Sequence, residues 1–312
     1  MSLSPAEPGL PYHEIQLAGR AGRWRQVVGS LAMIAWLALF AALVVLIPFA
    51  IWYAVKGYDV NTLIDPQHVT PWNLAFTDIV LATLIPAAML LTWALHGIPT
   101  RWLWSVVGRL RWRFLLACMG AGVVTLIATG IVGAVLPSGS DSSSSSTVPF
   151  TSTVAGLFLV IVVLTPFQAA GEEFMFRGYL TQALGTLSRQ VWVPVLLTGL
   201  VFGLFHGLGQ SPPVFLSRFA FGLMAGYLAI RTGGLEAGIS MHLLNNWLSL
   251  GIAAATGSLD DALHPAGGSW WTVPVTLTQT LVYLALVLLI ARRMNVATHT
   301  ERRVLEGVRS RV

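Results

Sequence analysis

Charge is scarce in this sequence. Only 10% of its 312 residues are Asp, Glu, Lys or Arg, against about a quarter in soluble domains, and 55% are hydrophobic. Cysteine is scarcer still. The lone Cys118 lies in an apolar run, which excludes a disulfide framework and a cysteine-rich metal site. No secretory leader is read at the start: residues 1–26 are polar and Pro-containing, and the apolar run behind them is too long for a signal-peptide core. No internal repeat suggests the inverted halves of a transporter.

What is present is a spacing of charges. No charged residue occurs between Arg25 and Lys56, Asp78 and Arg101, Arg113 and Asp141, or Asp141 and Glu172. The same holds between Arg189 and Arg218, Glu236 and Asp260, and Asp261 and Arg292. Each gap accommodates the roughly 20 apolar residues that cross a hydrocarbon core. The shorter stretch 219–230 adds one more helix if Arg218 sits within it. The expected fold is therefore all-α, a polytopic membrane bundle of about eight transmembrane helices. With both termini cytoplasmic, every basic residue except Lys56 and Arg218 falls on the cytoplasmic side, sixteen of the 18. That is the positive-inside pattern, so the net charge of +5 is topological and no nucleic-acid partner is expected. The alternating Arg and Trp of residues 100–114 read as an interfacial stretch rather than a nucleic-acid patch.

The chain divides into a cytoplasmic tail (1–26), a three-helix membrane region (27–136) and a Ser-rich external linker (137–149). A membrane domain holding the polar residues follows (150–256). An external loop with the last helix (257–291) and a basic cytoplasmic tail (292–312) complete it. Ionisable groups inside spans cost at least about 2.5–3.5 kcal/mol each at the centre and are functional by default. They concentrate in the domain 150–256: Glu172 and Glu173 with Arg177, His206, Arg218, and His242 followed by Asn245 and Asn246.

Residues four apart share a helix face. Glu173 and Arg177 can therefore pair, leaving Glu172 about 100° away without that partner. His242 and Asn246 present two polar groups on one side, and Phe202 sits one turn below His206. A carboxylate and an imidazole can hold and deprotonate a water, while an imidazole and a carboxamide can donate to an oxyanion. If Glu172 and His206 share a water, helix four must run well past Glu172. A tight turn near Arg189 then brings both to one level.

The patterns Glu172-Glu173-x-x-x-Arg177, Phe202-x-x-x-His206 and His242-x-x-x-Asn246 resemble those of the CAAX-protease and bacteriocin-processing family (CPBP, or Abi), over about Val154 to Leu250. Each motif alone is weak; in order, each on a membrane helix, they are specific. The resemblance implies a glutamate-dependent intramembrane endopeptidase, with Glu172 and His206 activating water and His242 and Asn246 forming the oxyanion site. Glu173, Arg177 and Phe202 support them. The substrate it implies is a peptide bond of a membrane-associated or lipidated protein, met within the bilayer. No cofactor is expected. Zinc remains an alternative because His206, His242 and a glutamate could ligate it, but the H-E-x-x-H pattern is absent and the sequence shows no carboxylate behind either histidine. The competing reading is a non-catalytic membrane scaffold or regulator of the same fold. The expected location is the cytoplasmic membrane of a bacterium.

Overall fold

The long charge-free runs fold as helices, which satisfy their own backbone hydrogen bonds where water is absent. A computed structural model describes residues 9–20, 22–63, 68–136, 147–207, 209–263 and 268–301. Eight long helical segments follow one another. They are α1 (Trp24–Lys56), α2 (Pro71–His96), α3 (Trp112–Val135), α4 (Ser152–Ser188), α5 (Trp192–Phe205), α6 (Pro212–Thr232), α7 (Glu236–Thr256) and α8 (Thr272–Arg293). All but α5 and α7 are long and apolar enough to cross a membrane. α5 is short. α7 has the length but carries Glu236, His242, Asn245 and Asn246. Among the described residues no β-strand forms, only isolated bridges. The protein is a multi-pass, helical membrane bundle.

Both ends of the described chain lie at one face. Leu10 donates to Thr300 Oγ1 and accepts from the Thr300 N–H, each at 2.9 Å. Arg111, just before α3, belongs to the same face, since its Nη1 donates to Ala297 O at 3.0 Å. The far end of α3, at Val135, lies about 35 Å away at 1.5 Å per residue. The Ser-rich segment, residues 137–146, lies outside the described residues, as does the basic tail from 302 onward. Arg111 also forks onto Glu236, with Nη2 to Oε2 at 2.6 Å and Nε to Oε1 at 2.8 Å. This planar bidentate pair ties the start of α7 to the start of α3. Met241, Ala237 and Tyr283 then pack α7 against α3 and α8.

The helical hairpin expected around Arg189 is present. α4 runs about 55 Å at 1.5 Å per residue, well beyond a core of about 30 Å. It ends at Ser188 because Arg189 adopts a left-handed conformation, φ 57°. Directly after Glu173 the helix widens into a π-helical turn, Phe174–Leu180, a local irregularity frequent at functional sites. α5 is only about 21 Å long, so it stops inside the thickness that its neighbours span. The reason is local: Gly207 takes φ 114°, a conformation L side chains rarely adopt, and Pro212 and Pro213 start the next helix. The carbonyls freed at the end of α5 need partners at that depth. Gln210 Nε2 donates to Gly203 O at 2.6 Å and Gly207 O at 2.7 Å. Arg218 Nη1 donates to His206 O at 3.2 Å and to Gln210 Oε1 at 2.9 Å. Arg218, set inside α6, therefore helps cap α5.

Candidate active site

The polar residues of α4 meet those of α7 through paired contacts. Glu173 and Arg177 are both fully buried, and Arg177 Nη1 lies 2.9 Å from Glu173 Oε1. The expected one-turn ion pair exists, but Glu173 does more than offset Arg177. The same Oε1 stands 2.9 Å from His242 Nδ1. A carboxylate only accepts, so Nδ1 carries a proton and Nε2 points the other way. His242 Nε2 lies 3.7 Å from Glu172 Oε2, too far for a direct hydrogen bond. The imidazole thus stands between two carboxylates, hydrogen-bonded to Glu173 and in van der Waals range of Glu172.

Phe202 is the apolar counterpart of this cluster. Its ring centroid lies 4.6 Å from that of His206 and 5.9 Å from that of His242. The Arg177 guanidinium sits 4.1 Å above its face, a cation–π contact that partly replaces lost hydration. One aromatic side chain therefore supports both imidazoles and the buried cation, which explains why an aromatic is wanted four residues before His206.

Glu172 is held differently. Gln168, one turn earlier on α4, donates from Nε2 to Glu172 Oε1 at 2.7 Å. Asn246 Nδ2 donates to Gln168 Oε1 at 2.9 Å. Glu172 Oε2 is buried and has no hydrogen-bond partner among the described residues. The neighbouring amides have different partners: Asn246 joins the chain to Glu172, whereas Asn245 Oδ1 accepts from Gln279 of α8 at 2.9 Å.

His206 occupies the residue that ends α5. Its Nδ1 lies 2.8 Å from Phe202 O; a carbonyl cannot donate, so Nδ1 is protonated and Nε2 is left as an acceptor. Glu172, His206, His242 and Asn246 all line one cavity of about 430 Å³, together with Gln168 and Asp78. Asp78 comes from α2 and accepts from Thr165 Oγ1 at 2.8 Å.

All the residues singled out in the sequence are therefore gathered here. Gln168 and Asp78 were missed. A neutral amide carries no charge signal, and Asp78 bounds a charge-free run instead of interrupting one. One expectation is corrected: a carboxylate does stand behind a histidine, since Glu173 backs His242 as a second carboxylate backs many metal-bound imidazoles. Yet among the described residues no three His, Cys, Asp or Glu side chains are placed to hold a metal ion.

Close approach of α4 and α7 depends on Gly238, one turn before His242. A Cβ there would collide with Glu173 Oε2. Gly238→Ala is expected to cost about 1–3 kcal/mol by overpacking and to displace Glu173 from His242. Thermal unfolding in detergent micelles checks this; an unchanged melting temperature would show that the carboxylate has room to move.

Comparison with known proteins points the same way. Residues 153–248 match the family described as Rce1-like, type II CAAX prenyl endopeptidase Rce1-like. This supports membership of the CAAX-protease family, whose members suggest a peptidase. The chain is also 28% identical over 145 residues to Uncharacterized protein YyaK of Bacillus subtilis (strain 168), a stretch covering 42% of this chain and 48% of that protein. The match thus spans about half the length of that relative. No solved structure matches.

Proposed function

We propose that this protein is an intramembrane, glutamate-dependent endopeptidase acting on a membrane-associated or lipidated substrate. The observation that carries this reading is the asymmetry of Glu172. One carboxylate oxygen is fixed by Gln168, while the other is buried, unpartnered and close to His242. Oε2 is the atom that takes a proton from a water attacking the scissile carbonyl. His206, its Nδ1 occupied by Phe202 O, offers a bare Nε2 to the same water. As the carbonyl oxygen becomes an oxyanion, it is met by an amide N–H of Asn246 and, with His242 in its imidazolium form, by the N–H at His242 Nε2. The proton taken by Glu172 is then passed to the departing amine, so the carboxylate is regenerated without a covalent intermediate.

His242 suits the oxyanion role because Glu173 accepts from its Nδ1 and so fixes the ring with Nε2 turned toward Glu172; His206 suits the water-holding role because Phe202 O accepts from its Nδ1 and leaves Nε2 free to accept. The protein resides in the cytoplasmic membrane of a bacterium with both termini cytoplasmic, and meets its peptide substrate within the bilayer. The test is hydrolysis of quenched fluorescent peptides, with and without a C-terminal prenylated cysteine, by liposome-reconstituted protein in a strong chelator. Asn246→Ala is expected to lower kcat by about 10²–10³, the usual effect of losing one oxyanion donor. An Asn246→Ala variant with full turnover would remove Asn246 from the reaction.

A further inference from the structure

Gln168 belongs to none of the three motifs, yet it links the two halves of the site. It lies one turn before Glu172 on the same face of α4 and is itself buried. Its two amide atoms have different partners: Nε2 donates to Glu172 Oε1 at 2.7 Å, and Oε1 accepts from Asn246 Nδ2 at 2.9 Å. These contacts run in only one direction. An ionised carboxylate has no proton to give, so the end of Gln168 facing Glu172 must be its NH₂ group. The end facing Asn246 is then the carbonyl, and Asn246 must in turn present its NH₂ group rather than its oxygen. One Asn246 N–H is used by Gln168, and the second remains for the cavity.

We propose that Gln168 is a positioning residue through which the ionised Glu172 fixes the orientation of Asn246. Asn246 then donates to the oxyanion only while the base is ready to accept a proton. This rests on the proteolytic reading above. It has a corollary at Glu172 itself. A glutamine there can donate as well as accept, so the amide chain can run backwards and turn the Asn246 oxygen toward Gln168. Without the carboxylate, the oxyanion donor loses its fixed direction as well as its partner base.

Gln168→Met keeps the length of the side chain and removes both hydrogen bonds. Gln168→Asn keeps an amide but is one methylene too short to reach both partners, and serves if the methionine variant does not fold. In reconstituted protein either change is expected to lower kcat by about 10–10²-fold with KM within about threefold, since an interaction needed in the transition state is lost. Combined with Asn246→Ala, the further loss is expected to stay below about threefold, because the two residues act as one unit. A purely structural glutamine would give losses that multiply in the double variant. Glu172-dependent cleavage that continues at the wild-type kcat in Gln168→Met, or losses that multiply, overturns the positioning role alone. Absence of any Glu172-dependent cleavage by the unaltered protein overturns the underlying reading, and the positioning role with it.

Discussion

Glu172→Gln is expected to abolish peptide cleavage while leaving the folded bundle intact. The substitution keeps the shape of the side chain and removes the oxygen proposed to accept the water's proton. Glu172 lines the cavity and Glu173 does not; the other carboxylate there, Asp78, already accepts from Thr165. General-base catalysis alone supplies about 10²–10⁴ in rate, and loss of the fixed direction of Asn246 adds to that. The measurement is turnover of reconstituted protein beside its melting temperature. Unaltered cleavage by Glu172→Gln would end the water-activation mechanism; lost cleavage with a collapsed melting temperature would assign Glu172 to the fold.

Glu173→Ala is expected to be damaging for another reason. Arg177 is fully buried, and Glu173 supplies its hydrogen-bonded counter-charge. Two further guanidinium nitrogens, Nε and Nη2, have no hydrogen-bond partner among the described residues. Removing one member of a buried pair costs about 3–5 kcal/mol because the other charge is left uncompensated. The double variant Glu173→Ala/Arg177→Met is expected to recover much of that stability. Cleavage is expected to stay impaired in the double variant, since His242 Nδ1 has still lost its acceptor. Recovery of both stability and cleavage would reduce Glu173 to a counter-ion for Arg177.

Much of this was legible in the sequence, and the residues show why. A bilayer imposes long charge-free runs, so the spacing from Arg25 to Arg292 revealed the helices before any packing was known. Four-residue spacing likewise gave the Glu173–Arg177 pair, because one helical turn is purely local geometry. Contacts between helices were less accessible. That Glu173 also holds His242 depends on α4 and α7 touching at Gly238, a long-range event that no local period encodes. Gln168 was invisible because glutamine in a membrane helix usually signals only an interhelical hydrogen bond; its meaning comes from the two partners it joins. His206 closes an apolar run, and α5 ends there. That the helix ends there within the bundle, capped by Gln210 and Arg218, follows from Gly207 and the Pro212-Pro213 pair acting with side chains several residues away.

In the proposed function, this protein cuts peptide bonds inside a membrane with Glu172. The most direct test is quantitative mass spectrometry of new peptide termini in membranes from cells producing either the unaltered protein or Glu172→Gln at equal levels. Cleavage products of membrane-associated proteins are expected to appear only with the unaltered protein. Identical sets of peptide termini in the two membranes, with both proteins folded and equally abundant, would contradict that function.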